Sequence, residues 1–152
     1  MNKGVGYAKG AWTIFLNSGD SFYSAKSLSN ALNSKIPLDC NLISGYVNLF
    51  YKDKFIHKYG GKPFTPHQAT FISTDLLIKL YFNQSYKILG DVEMMQRAQK
   101  ELKAHFTHEI IANFELGGVG NHPRFFIRRF NEYKQIFSST KSRLIYLFIG
   151  IL

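Results

Sequence analysis

The chain has 152 residues, of which 45% are hydrophobic and 16% aromatic; this is enough to fill the core of a single domain and excludes a chain that is disordered throughout. Lys and Arg number 19 against 10 Asp and Glu, so the net charge of +9 should attract phosphates, anionic lipid headgroups or nucleic acid, without choosing among them. The single cysteine, Cys40, excludes an internal disulfide framework and is typical of a reducing compartment.

The first predicted elements are a short helix, a strand and a turn. Small and apolar residues before Gly10 predict the helix, and the apolar run at 12–16 predicts a buried strand. The turn formers at 17–20 end that strand, and apolar residues at helical spacing predict a helix within 24–32. Asp20 therefore lies at the carboxyl end of a strand, where ligands bind in open α/β sheets.

The middle of the chain changes to residues that favour strands. Residues 42–51 and 55–59 flank a predicted turn, Lys52-Asp53-Lys54, and together predict a hairpin. A strand at 69–72 and a helix that begins after Ser73 or Thr74 are predicted next.

A further helix is predicted from about residue 91 to 103, with Met94 and Met95 on its apolar side. His105 and His108 follow at a spacing that places them on one face of a helix. No cysteine or acidic group completes a zinc site around them, so zinc is not expected.

The last part of the chain, residues 121–152, is basic and aromatic and predicts a separate helical tail. Its basic residues are Arg124, Arg128, Arg129, Lys134, Lys141 and Arg143. With the nearby aromatic residues they favour peripheral contact with an anionic membrane. The apolar run at 144–152 is shorter than the roughly 20 residues that a membrane-spanning helix requires. Nucleic acid is not an expected partner, because no recognised reader motif is present.

Asp20 is the first candidate for a chemical role. A carboxylate at this position can hold a divalent cation that neutralises phosphate groups. The sequence Ser-Gly-Asp also forms ordinary turns before helices, so the residues alone leave both interpretations open.

Asp91 and Glu93 are the next candidates, at the start of a predicted helix. Asp91 suits either a helix N-cap or a general base that takes a proton from a hydroxyl group, and Glu93 is the second choice for the base. Residues two apart on a helix point about 200° apart, so the two acids cannot both face one substrate if both are helical.

His67, Gln68 and Lys3 are candidates for binding phosphate or hydroxyl oxygens. A neutral imidazole and an amide can both bond to such oxygens, although a lone histidine in a loop is more often structural. Lys3, near the first residue, is better explained in an isolated chain as a solvated and mobile side chain.

Taken together, these segments resemble the family 2 glycosyltransferases with the GT-A fold. The segments that carry the resemblance are Asn2-Lys3-Gly4, Gly10-Ala11-Trp12-Thr13-Ile14, Phe15-Leu16-Asn17-Ser18-Gly19-Asp20, Pro66-His67-Gln68-Ala69, Gly90-Asp91-Val92-Glu93 and Phe114-Glu115-Leu116-Gly117-Gly118-Val119. The resemblance covers most of the chain.

The resemblance implies transfer of a sugar from a nucleotide-diphosphate donor to a saccharide or lipid-linked acceptor, as in bacterial surface-polysaccharide synthesis. It implies that Asp20 meets a divalent cation, Mg²⁺ or Mn²⁺, and that Asp91, or as second choice Glu93, is the base. The residues implied to approach the donor are Lys3, Asn17, His67 and Gln68. Inverting single displacement is the expected reaction, and a retaining outcome stays open.

Members of this family begin with strands that form the nucleotide-binding half, and Met1 aligns within the family pattern. The resemblance therefore implies an α/β chain with an incomplete GT-A fold. Residues 1–120 would be the C-terminal portion of that domain, a central mixed sheet with flanking helices, followed by the tail at 121–152. We expect weak or no transfer by this chain alone, and a partner chain that supplies the missing strands would complete the donor pocket. No secretory signal is visible, so a cytoplasmic location is expected, including the inner face of the membrane.

Overall fold

The computed structural model describes residues 1–33, 35–61, 66–118 and 122–137, which form a mixed β-sheet flanked by helices. The strands are β1 (Trp12–Thr13), β2 (Ser21–Phe22), β3 (Leu42–Tyr51), β4 (Lys54–Gly60), β5 (Thr70–Ser73) and β6 (Ala104–Glu115). The α-helices are α1 (Asn2–Tyr7), α2 (Ser27–Leu32), α3 (Thr74–Leu80), α4 (Gly90–Ala98) and α5 (Phe126–Ile136), and short 3-10 helices lie at His67–Ala69 and Pro123–Phe125.

The sheet has the strand order β1-β5-β3-β6-β2, and β4 pairs with β3. Strands β3 and β6 are parallel, whereas β5 is antiparallel to both β1 and β3. Strands β1, β3 and β6 therefore share one direction and β5 is reversed. The expected α/β class with a central mixed sheet is confirmed.

Two hydrophobic cores lie on opposite faces of this sheet because neighbouring residues of a strand point to opposite sides. Leu42 and Ile72 belong to the first core, which α1, α3 and α4 cover, and Ile43 and Phe71 belong to the second, which contains Ala31 of α2. Each fully buried Leu, Ile or Phe side chain contributes about 1.5–3 kcal/mol relative to an exposed one. The two cores together fix the central strands from both sides.

The predicted hairpin is confirmed as β3 and β4. Its turn contains Lys52 and Asp53, both with positive φ (49° and 60°), which is the backbone that a two-residue hairpin turn of the right twist requires. The helix predicted after Ser73 is also confirmed as α3, and the Ser73 side chain accepts a hydrogen bond from the N–H of Leu76.

Other helices and strands were predicted longer than they are in the structure. The first helix ends at Tyr7 rather than Gly10, the first strand pairs only at Trp12–Thr13, and the helix predicted to reach residue 103 ends at Ala98. The helical placement of His105 and His108 was wrong, because both residues lie in β6, where a spacing of three puts them on opposite faces.

Gly45 of β3 lies directly against β6, with no room for a side chain. A Cβ atom at this position would lie 2.7 Å from the carbonyl oxygen of Glu109 and 2.8 Å from Cγ1 of Ile111. The register between the two strands shifts next to Gly45. A residue without a side chain is therefore needed at this point of the central pair.

The basic C-terminal segment contains α5 within the described residues. Lys141, Arg143 and the apolar run at 144–152 lie outside them, and the division at residue 120 stays a prediction. None of the helices in the described part of the chain is long and apolar enough to cross a membrane.

Candidate functional site

Five of the residues singled out from the sequence lie together at one edge of the sheet. They are Asn17, Asp20, His67, Gln68 and Asp91, and hydrogen bonds connect them in two groups that share Asn17. The edge is formed by the carboxyl ends of β1 and β6 and by the start of the reversed strand β5. Ligand sites of open α/β sheets lie at the carboxyl ends of strands.

Asp20 is the centre of the first group. The turn from Asn17 to Asp20 closes with a 3.1 Å bond from the Asp20 N–H to the Asn17 carbonyl, and Gly19 takes the positive φ of 95° that this turn needs. Oδ2 of Asp20 accepts the N–H of Asn17 at 3.1 Å and Nε2 of Gln68 at 2.8 Å, and Oδ1 accepts the N–H of Glu115 at 3.2 Å. The carboxylate is thus held in one orientation by three donors.

Gln68 has an unusual environment for an amide. Its side chain is buried, with 1% of its surface exposed, and Nε2 is used by Asp20. Its Oε1 is buried and has no hydrogen-bond partner among the described residues. Leaving a buried acceptor without a partner costs about 1–3 kcal/mol, and such groups are uncommon in native structures.

His67 is the centre of the second group. Its Nδ1 lies 2.8 Å from Oδ2 of Asp91, and its Nε2 lies 2.9 Å from Nδ2 of Asn17. An amide nitrogen donates, so Nε2 accepts and Nδ1 carries the hydrogen that Asp91 accepts. This arrangement selects the neutral imidazole and turns the Asp91 carboxylate toward the loop that contains His67.

Asp91 is not the N-cap of its helix. The cap position of α4 is Leu89, and Asp91 lies in the first turn, where its Oδ1 accepts the N–H of Val92 at 2.9 Å. Its side chain keeps 30% of its surface exposed. The structure therefore does not show Asp91 as the helix cap, which was one of the two roles that the residues left open.

Glu93 lies away from this cluster. Its carboxylate forms an ion pair with Arg97 one turn later in α4, with distances of 3.0 Å to Nε and 3.1 Å to a terminal nitrogen. Arg97 also donates to the carbonyls of Leu80 and Tyr81. The pair fastens the end of α3 to α4, which is a structural task.

Lys3 is exposed on α1. Within the described residues, it forms no hydrogen bond with the cluster. Its neighbour Asn2 has the structural role: Nδ2 donates to the carbonyl of Phe82 and Oδ1 accepts the N–H of Phe82, both at 2.8 Å. Asn2 thereby fixes α1 against the segment that follows α3.

The donor atoms of the cluster determine whether it can bind a divalent cation. Within the described residues no three His, Cys, Asp or Glu side chains gather as a metal site. Asp20 offers about four lone-pair positions, of which three accept hydrogen bonds. One position fits a cation that takes its other ligands from phosphates and water, as Mg²⁺ usually does.

Two contributors to this region were missed in the sequence. The backbone N–H of Glu115, at the end of β6, holds Asp20, and no sequence signal indicated it because β6 itself was not predicted. Glu132 of α5 accepts the N–H groups of the three residues before α4. The signal for Glu132 was present: it is the sole Asp or Glu in residues 122–137.

Comparison with known proteins finds relatives that match most of this chain. An uncharacterized glycosyltransferase of Mycobacterium tuberculosis is 28% identical over 134 residues, covering 80% of this chain and 51% of the relative. The chain is similar to glycosyltransferases. A PGL/p-HBAD biosynthesis glycosyltransferase of Mycobacterium bovis is also 28% identical, over 138 residues, with 80% of this chain and 52% of the relative covered. No protein-family model matches the chain, and the chain spans about half the length of the curated relatives it matches.

Proposed function

We propose that this chain provides the phosphate-binding and acceptor-facing part of a glycosyltransferase of the family 2 type. The donor would be a nucleotide-diphosphate sugar and the acceptor a saccharide or lipid-linked saccharide. The observation that carries the proposal is the convergence of Asp20, Gln68, His67 and Asp91 on one sheet edge, in a chain similar to glycosyltransferases. In the sheet, the reversed strand β5 lies between β1 and β3, and β6 runs parallel to β3. This arrangement is compatible with part of a GT-A fold.

In the proposed reaction, Asp91 is the general base. The acceptor hydroxyl oxygen attacks the anomeric carbon, the bond from that carbon to the diphosphate breaks, and Asp91 takes the hydroxyl proton. The Nδ1–H of His67 holds Oδ2 of Asp91, and Asn17 in turn orients the His67 ring. A base whose carboxylate is already oriented needs less rearrangement to reach the transition state.

Asp20 would hold the divalent cation, Mg²⁺ or Mn²⁺, together with the donor phosphates. When bound, such a cation neutralises the negative charge of the departing diphosphate. Gln68 keeps the Asp20 carboxylate in place, and the net charge of +9 of the chain favours the approach of a phosphorylated donor. A partner that supplies further strands at the open edge of β1 would complete the site, because β1 pairs only with β5 in the described part of the chain.

Calorimetric titration of the purified chain with UDP and Mn²⁺ tests the phosphate and cation site without a choice of sugar. We expect binding that Asp20→Asn abolishes and that Asp53→Asn leaves unchanged. Asp53 is a matched control because it is an exposed turn residue with positive φ, a backbone that asparagine tolerates. Equal binding by wild type and Asp20→Asn would refute the assignment of Asp20.

The surface of α5 favours a second function, attachment to an anionic membrane. Phe126, Ile127 and Phe130 are exposed by 55%, 74% and 38%. Arg129 lies 5.9 Å from the Phe126 ring and Lys134 lies 4.7 Å from the Phe130 ring. Aromatic residues beside cations are typical of helices that lie in the headgroup region.

Flotation with vesicles that contain phosphatidylglycerol tests this attachment. We expect the chain to float with these vesicles but not with neutral ones, and Ile127→Ser to weaken flotation. Ile78→Ser is the matched control, since Ile78 is 46% exposed on α3, outside the basic segment. Equal losses for both variants, or flotation without anionic lipid, would contradict a specific role of α5.

A further inference from the structure

Glu132 is a buried acid on an otherwise basic helix. Only 6% of its surface is exposed, and it is the sole Asp or Glu among residues 122–137. Its Oε1 accepts the N–H of Lys87 at 2.9 Å, and its Oε2 accepts the N–H groups of Ile88 at 3.0 Å and Leu89 at 2.9 Å. One carboxylate from α5 thus binds three successive backbone amides of the segment before α4.

The charge of Glu132 is maintained in this environment. Burial acts to raise the pKa of its carboxyl group, but the hydrogen bonds from the N–H groups of Leu89, Lys87 and Ile88 and from the Arg128 side chain outweigh burial, and the pKa is lowered. A buried carboxylate is tolerated only where donors replace its lost hydration. The four donors around Glu132 meet that condition.

The three amides lead directly to the proposed base. Leu89 is the cap residue of α4, and its carbonyl oxygen accepts the first helical hydrogen bond, from the N–H of Glu93 at 2.8 Å. Its N–H is the group that Glu132 holds at 2.9 Å. Asp91 lies two residues further on and bonds to His67. A shift of Leu89 would therefore rotate the first helical turn and move the Asp91 carboxylate.

We propose that Glu132 is a positioning residue that fixes the first turn of α4 and so keeps the Asp91 carboxylate against His67. The catalytic consequence rests on the proposed function, in which Asp91 is the base, whereas the positioning itself does not. In this arrangement Glu132 acts on the site through the backbone amides of residues 87–89.

The test compares Glu132→Gln with Glu101→Gln in the 152-residue chain. Glutamine has nearly the same shape, but it replaces one accepting oxygen by an NH₂ group that cannot accept from Ile88 or Leu89. Glu101 is the matched control because its carboxylate is 46% exposed and, within the described part of the chain, pairs only with the Lys79 side chain at 2.6 Å. Both variants lose the same charge.

Two measurements by nuclear magnetic resonance report positioning without any need for activity. In Glu132→Gln we expect the amides of residues 87–89 to exchange with solvent about tenfold faster or more, as loss of a hydrogen bond to a charged acceptor predicts. We also expect the imidazole ¹⁵N signals of His67 to change from a single Nδ1–H tautomer to a mixture. Glu101→Gln should match wild type in both measurements.

Unchanged His67 signals in a folded Glu132→Gln variant would overturn the proposal, even if its stability fell, because a purely structural role leaves His67 undisturbed. If that variant does not fold, Glu132→Asp keeps the charge on a side chain one methylene shorter, and the same two readouts decide. In a transfer assay with a partner chain that supplies the further strands, we expect Glu132→Gln to lower kcat and leave the donor KM unchanged. If Asp91→Asn leaves transfer intact while Glu132→Gln changes His67, the proposed base is wrong and the positioning stands.

Discussion

Replacement of Gln68 by methionine separates the stability of the fold from the binding function of the site. Methionine keeps the volume of the buried side chain, so no large cavity forms. It removes the hydrogen bond from Nε2 to Asp20, worth about 1.5–3 kcal/mol for a charged acceptor. It also removes the buried Oε1 that has no partner among the described residues, which returns about 1–3 kcal/mol.

The two contributions nearly cancel, so we expect Gln68→Met to change the free energy of unfolding by less than about 1.5 kcal/mol. Asp20 is partly exposed, and water can replace the lost donor, which favours the small end of this range. Gln68→Ala, which leaves a cavity in the same place, should lose about 2–4 kcal/mol. Urea unfolding at neutral pH measures both values, and Gln99→Met on the exposed end of α4 is a control expected within about 0.5 kcal/mol of wild type.

Binding should respond differently from stability. Gln68→Met should weaken the affinity for UDP and Mn²⁺ in calorimetric titration, because the Asp20 carboxylate loses the donor that orients it. A Gln68→Met variant as unstable as Gln68→Ala would show that Oε1 is well satisfied in solution, and the reasoning from the unpartnered oxygen would be refuted.

Three further predictions concern other parts of the molecule. Gly45→Ala should lower the free energy of unfolding by about 1–3 kcal/mol through overpacking, measured by urea unfolding, whereas Gly6→Ala, which has open space, should cause no loss. Glu93→Gln breaks an ion pair and should lower the free energy of unfolding by no more than about 1 kcal/mol. In a transfer assay with a partner chain that supplies the further strands, Glu93→Gln should retain transfer, whereas Asp91→Asn should reduce it about 10²–10⁴-fold. Wild type should have a larger free energy of unfolding than Glu132→Gln. This difference should be fully present above the ordinary carboxyl pKa of 4.5 and lost as the pH falls through the lowered folded-state pKa. Urea unfolding at several pH values measures it.

Each of these predictions has a contradicting result. Equal stability of wild type and Gly45→Ala would mean that β3 and β6 separate easily at this point. If Glu93→Gln lost transfer while Asp91→Asn stayed active, Glu93 rather than Asp91 would be the base. A stability difference at Glu132 that persists in acid would mean that the carboxyl group binds its amides equally well when protonated.

The features that the sequence predicted correctly depend on short-range signals. The turn at Lys52 and Asp53 lies between two runs of strand formers, and Ser73 is a good cap before an apolar helix. Both signals involve residues within a few positions of one another, so they act in the same way in any fold.

The features that were missed depend on contacts between distant segments. Strand β6 carries His105, Thr107 and His108 among its apolar residues, and its strand state follows from pairing with β3, which the local pattern does not reveal. The direction of the Asp91 side chain is likewise set by His67, a residue of another loop. The residues near Asp91 in the sequence therefore left the base open while favouring the cap.

The parallel pairing of β3 with β6 also determines when the site can form. This pairing joins Leu42 to Ala104 and Phe50 to Glu115, so the chain between the strands, with α3 and α4, must close into a loop before the pair is made. Pairings between such distant residues slow folding. The Glu115 amide holds Asp20 in the folded sheet, so a ligand of the site would bind the native chain in preference to the unfolded one and protect it from unfolding by mass action.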